Sequence, residues 1–81
     1  MIKILYFGSL VDAFDRASDE LDLPPQVRDV QSLMFFLSLR GEAWAKYLRN
    51  NPGLKITVNR QFAEAGTAVG DGDEIAFVAL G

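Results

Sequence analysis

The chain has 81 residues, a net charge of −3 and 49% hydrophobic content, with six Phe, two Tyr and one Trp. Such a length gives one domain, residues 1–81, whose modest core depends on the bulk of its aromatic residues. With neither Cys nor His, the chain has no disulfide or thiolate chemistry, lacks the usual metal ligands and is without the commonest general base. Its acidic balance argues against a nucleic-acid partner, which requires a basic field.

No apolar run reaches the ~18 residues of a membrane span, and the N-terminus shows no secretory pattern. A cytoplasmic domain with no membrane partner is expected. Charge is segregated along the chain. Residues 12 to 29 hold Asp12, Asp15, Asp19, Glu20, Asp22 and Asp29 against Arg16 and Arg28. Residues 40 to 60 hold Arg40, Lys46, Arg49, Lys55 and Arg60 against Glu42. Solvated faces commonly look like this. A dipolar surface that orients partner proteins is the functional alternative.

The first element, "MIKILYF", alternates Ile2, Ile4 and Tyr6 with Lys3, Leu5 and Phe7, the pattern of a strand with one strongly buried face. Gly8 is expected to break it. A short helix follows over "SLVDAFDRAS", with Leu10, Val11 and Phe14 at helical spacing and Ser9 placed to cap it. "DELDLPP" reads as a second strand ended by Pro24 and Pro25. From Asp29, a natural N-cap, Val30, Leu33, Met34 and Leu37 form the core stripe of a long helix. Gly41 interrupts it before "EAWAKYL" continues with Trp44, Tyr47 and Leu48. "NNPG" is a turn, and "LKITVN" is a third strand with Ile56 and Val58 on one side. Residues 60 to 69 read as irregular, with room for one short strand pair. "EIAFVAL" closes the order, setting Ile75, Phe77 and Ala79 on one face and Glu74, Ala76, Val78 and Leu80 on the other.

Two strands before the main helix and at least two after it define an α+β architecture. One mixed sheet packs on one principal helix, which is a β-grasp arrangement. The helix covers one face of that sheet only. Leu5, Phe7, Val78 and Leu80 therefore form a contiguous apolar patch that nothing in the chain covers, which marks it as a binding surface. Phe35 and Leu39 are a second apolar surplus, on the helix face opposite the core stripe.

Side-chain catalysis finds little support. "GTAVGDGDE" lacks the phosphate-cradling pattern and its lysine, and its acids lack calcium-loop spacing. Glycines and aspartates in that order make a turn into the last strand. The serines have no His partner and no nucleophile-elbow context. An independent enzyme is the least favoured class.

"IKILYFGSL" and "TVNRQFAEAGTAVGDGDEIAFV" resemble the small subunit of molybdopterin synthase, a ubiquitin-like β-grasp sulfur carrier. The match spans nearly the whole chain. It is strongest at Val58-Asn59 and over Asp71-Gly72-Asp73-Glu74-Ile75-Ala76-Phe77, where that family reads D-G-D-E-V-A-F. Val30 with Leu33, and Trp44, also fit. The resemblance implies a carrier whose C-terminal glycine is adenylated by an E1-like adenylyltransferase using ATP-Mg, then thiocarboxylated by a sulfur donor protein. The sulfur goes to a pyranopterin precursor in the large subunit of the synthase. No cofactor or metal is bound by the carrier itself.

The implied reactive carboxylate falls on Gly81, where that is the natural terminus, or on the glycine for which it stands in. The family runs a few residues further, to Gly-Gly. Phe7, Val78 and Leu80 of the outer face, with Phe62 in the loop after the third strand, are the implied partner contacts. The alternatives are a carrier serving thiamine or cysteine synthesis and a non-conjugating ubiquitin-like interaction module.

If Leu33 is core, Leu33→Ala costs roughly 2–5 kcal/mol in urea unfolding. A loss below about half a kcal/mol, the range of neutral surface changes, would place that helix face outside the core.

Overall fold

Alternating burial begins at the first strand, where Ile2, Ile4 and Tyr6 are each no more than 1% exposed. The computed structural model describes residues 1–49 and 51–79. Its elements are β1 (Ile2–Gly8), α1 (Ser9–Phe14), β2 (Ser18–Leu21), α2 (Val30–Ser38), α3 (Glu42–Arg49), β3 (Leu54–Val58), β4 (Gln61–Phe62) and β5 (Glu74–Ala79). They build a five-stranded sheet in the order β2-β1-β5-β3-β4. The first and last strands pair in parallel at its centre. The other neighbours run antiparallel.

One face of the sheet carries the core. Ile4, Tyr6, Ile75, Phe77 and Val58 join Leu10, Val30, Leu33, Leu37 and Leu48 in a single buried cluster. This is the expected α+β, β-grasp layout, with α2 as the principal helix. The helical stretch after Gly41 is a separate helix, α3, because Gly41 takes φ +159° and the chain turns there. Met34, expected in the core stripe, is only partly buried.

Asp29 begins α2 as expected. Its carboxylate accepts the Ser32 N–H at 2.8 Å, and the Ser32 hydroxyl accepts the Asp29 N–H at 3.1 Å, a reciprocal capping box. Hydrogen bonds from the Ser32 side chain and backbone hold the Asp29 carboxyl below its usual range.

Gly8 ends β1, as expected, and it also serves as N-cap of α1 with φ +69°. A Cβ at this position would collide with the carbonyl oxygen of Ala79, so the two backbones approach as closely as only glycine permits. Ser9, expected to cap α1, lies inside the helix, and its hydroxyl donates to the Ala79 carbonyl at 3.4 Å. The second strand lies earlier than expected. Register with β1 runs from Ile2↔Leu21 to Leu5↔Ser18, which leaves Asp22 and Leu23 in the connection.

A polar anchor ties this edge to the helices. Asp19 accepts hydrogen bonds from the Tyr6 hydroxyl at 2.8 Å, Arg16 at 2.7 Å and Arg40 at 2.7 Å. Phe14 stacks on Trp44 with ring centres 3.8 Å apart, and the Arg40 guanidinium lies 4.7 Å from the same indole. Burial first, then the hydrogen bond to Asp19, pushes the Tyr6 hydroxyl well above its ordinary pKa. Burial alone would raise the Asp19 carboxyl. The hydrogen bonds from Arg40, Tyr6 and Arg16 outweigh it and leave the group below the usual carboxylate range.

A carboxyl depressed in the folded state adds stability above its unfolded pKa, about 3.9, and loses it as pH falls through the lower folded value. Thermal unfolding of Asp19→Asn and the parent chain should therefore show a gap at pH 7 that narrows in acid, below about pH 4. A gap unchanged down to pH 2 would show that the charge of Asp19 contributes nothing.

Candidate functional site: the open face of the sheet

The sheet register sorts side chains into an inner and an outer set, since paired residues share a face. Leu5 pairs with Ala76, Ala76 with Thr57, and Thr57 with Phe62. Phe7 pairs with Val78, and Val78 with Lys55. These two adjacent rows make an apolar strip across four strands, on the face away from the core. Phe7 is 46% exposed and Phe62 is 87% exposed. Leu5, Ala76 and Val78 are half-buried beneath them. Lys55 borders the strip near the end of β5, and Lys3 lies between Glu20 and Glu74 at its other end.

Three of the expected contact residues thus come together. Phe7 and Val78 follow from strand alternation. Phe62 does not lie in a loop, as expected from the sequence; it belongs to β4, and its pairing with Thr57 turns it to the same face. The two-residue strand was too short to show periodicity. Thr57, Ala76 and Lys55 complete the strip and were not singled out, although the alternation that placed Val78 also places them. Leu80 and Gly81, the remaining expected site residues, lie outside the described residues.

β4 is held by a tight turn at Asn59 and Arg60, both with positive φ (52° and 69°). Val58 pairs with Gln61 across it, the geometry of a two-residue hairpin in which asparagine is favoured at the first position. Asn59 is tied further. Its side-chain amide donates to the Asp73 carboxylate at 3.0 Å, its side-chain oxygen accepts the Glu74 N–H at 3.0 Å, and its own N–H donates to the Glu74 carbonyl at 2.8 Å. Asp73 also accepts the Gly70 N–H at 2.8 Å, closing the turn in which Gly72 takes φ +88°. The hydrogen bonds from Asn59 and from the Gly70 backbone hold the Asp73 carboxyl below the usual range. The two most distinctive sequence motifs are therefore one hydrogen-bonded unit, which aligns the hairpin carrying Phe62 with the start of β5.

Chemically, the strip offers chiefly apolar area, with Thr57 and Lys55 as its polar members. Among the described residues no group of three or more carboxylates is placed to hold a metal ion. The face is open and largely apolar, and β5 leads from it toward the C-terminus.

A five-stranded mixed sheet in this order, wrapped on one principal helix with its other face open, defines a ubiquitin-like β-grasp domain. The model of the ThiS family matches residues 4–80, and the chain belongs to this family of ubiquitin-like sulfur carriers. A search of curated proteins finds no significant match. Among solved structures, SAMP1 from Haloferax volcanii is 17% identical with a TM-score of 0.77, covering 94% of this chain and 90% of that one. A second structure, H. volcanii small archaeal modifier protein 1, gives 16% identity and a TM-score of 0.81 over 99% and 97% of the two chains. A Pyrococcus furiosus protein assigned as molybdopterin converting factor, subunit 1, gives 20% identity and a TM-score of 0.78, again over 99% and 97%. At these identities the structures share the fold.

Asn59→Ala removes two side-chain hydrogen bonds and puts a Cβ residue with no polar side chain at positive φ, so a loss of about 1–3 kcal/mol is expected in denaturant unfolding. Asn59→Gly, which keeps the backbone freedom, should lose less. Equal losses would mean that conformational freedom at this turn is immaterial.

Proposed function

We propose that this chain is a sulfur carrier of molybdenum-cofactor synthesis, acting in the cytoplasm as the small subunit of a molybdopterin synthase-type complex. The observation that supports it most is the open strip of Phe7, Val78 and Phe62 on a ThiS-family domain, beside the strand that leads to the C-terminus. The strip docks first the E1-like activating enzyme and then the synthase large subunit. The reaction proceeds at the main-chain terminus. The glycine carboxylate attacks the α-phosphate of ATP-Mg in the activating enzyme, giving an acyl adenylate and releasing pyrophosphate. A sulfide equivalent from a sulfur donor protein attacks the acyl carbon, the C–O bond to AMP breaks, and a thiocarboxylate remains. Its sulfur then passes to a pyranopterin precursor. The carrier supplies an electrophile and an accessible end, so it needs neither cofactor nor metal of its own.

A second reading follows from the two H. volcanii neighbours, whose name describes a protein modifier. Here the same strip serves another sulfur pathway, or a ubiquitin-like module that carries nothing.

The test uses the native, full-length protein with its cognate adenylating enzyme, ATP-Mg and sulfide. Intact mass should rise by about 16 Da as one oxygen is replaced by sulfur, with no internal residue changed. Phe7→Ala should leave the protein folded and weaken enzyme binding by more than about 1 kcal/mol. The thiocarboxylated protein, mixed with the large subunit and precursor, should yield the dithiolene. No ATP-dependent mass gain refutes the carrier; a mass gain without dithiolene moves it to another pathway.

A further inference from the structure

The helical layer carries a second surface that shares no residue with the open strip. Between α2, α3 and the loop after β4 runs a groove of about 250 Å³, lined by Gln31, Met34, Phe35, Leu48, Arg49 and Ala65. Leu48 is fully buried and forms part of its floor, whereas Phe35 remains 53% exposed. Leu39, one helical turn beyond Phe35, is exposed as well. Phe35 of α2 and Leu39, its C-cap, are exposed apolar residues that neither the core nor the sheet strip accounts for.

The walls are preformed. Val30 and Gln31 donate their N–H groups to the carbonyls of Thr67 and Ala65, which fastens the loop to the start of α2. Within the loop, the Thr67 N–H donates to the Glu64 carbonyl at 3.1 Å and the Thr67 hydroxyl accepts the Glu64 N–H at 2.9 Å. A groove held this way avoids the ordering cost of binding. Its volume is below the roughly 300–1,000 Å³ of small-molecule sites. It suits an anchoring side chain of a peptide rather than a cofactor.

Charge identifies the occupant. The Arg49 guanidinium lies over the Phe35 ring at 5.8 Å, framing the apolar wall with a cation. Among the described residues the ion pairs are those of the N-terminus, Arg16 and Arg40, so Arg49 has no carboxylate partner there. Lys46 shares the last turn of α3, whose acid, Glu42, is in the first turn. Among the lining residues Arg49 alone is charged, in a chain of net charge −3.

We propose that this groove docks a short acidic segment of a partner protein, one apolar side chain entering between Met34, Phe35 and Leu48 and a neighbouring carboxylate pairing with Arg49. Because the groove and the strip lie on different layers, the segment is held while the sheet face is occupied. This proposal stands independently of the sulfur-carrier reading.

The test titrates the ¹⁵N-labelled full chain with a fluorescent hexapeptide, Asp-Asp-Leu-Phe-Asp-Asp, and with two controls, Asn-Asn-Leu-Phe-Asn-Asn and Asp-Asp-Ser-Ser-Asp-Asp. The acidic apolar probe should shift the amides of Gln31, Phe35, Arg49 and Ala65 and leave those of Phe7 and Val78 in place. Anisotropy should show binding weakened by added salt. Arg49→Glu and Phe35→Ser, each with an otherwise unchanged amide spectrum, should each weaken binding roughly tenfold. Equal binding of the neutral apolar or the acidic polar control overturns the proposal, as do shifts confined to the sheet face. Concentration-dependent shifts of the same four amides without peptide would assign the groove to a second copy of the chain, and also overturn it.

Discussion

The parallel pairing of β1 with β5 brings the first and last strands together at the centre of the sheet, and most other features depend on its register. Ile4 opposite Ile75 and Tyr6 opposite Phe77 place four large side chains in the core. The same register sets Leu5 beside Ala76 and Phe7 beside Val78 on the other face. A slip of one residue would exchange the two sets, exposing the core and burying the outer strip. The core and the open apolar face are therefore specified by one set of backbone hydrogen bonds.

Polar ties at both ends of β5 hold this register. At its start, Asn59 grips Asp73 and Glu74, so the hairpin, and Phe62 with it, cannot move independently of the strand. At its far end Gly8 lets the backbone of β1 approach the Ala79 carbonyl, and Ser9 donates to the same oxygen. The strand is thus fixed up to the point where the chain heads for its C-terminus.

Much of this was legible in the sequence where a period or a cap carries the information. The alternation in "MIKILYF" and "EIAFVAL" reveals both faces of the central strands, and Asp29 followed by Ser32 fits the start of α2. The departures share a cause. Ser9 and the limits of β2 depart from the local pattern because their roles depend on distant backbone, the Ala79 carbonyl and the β1 register. Phe62 could be tied to the site only by resemblance, since a two-residue strand has no period. Asn59 stood out as a motif without a reason; the reason is a hydrogen-bond partner fourteen residues away. Asp19 looked like one more acid in a solvated run, but it is the acceptor for Tyr6, Arg16 and Arg40.

The central claim is that the open sheet face is the surface by which this domain is recognised. Cross-saturation NMR on the labelled chain bound to its activating enzyme tests it most directly, because the footprint is read residue by residue without mutation. The account predicts strong transfer at Leu5, Phe7, Phe62, Ala76 and Val78, with Phe35 and Leu39 on the helical layer unaffected. A footprint centred on α2 and α3, with the sheet face untouched, would contradict it.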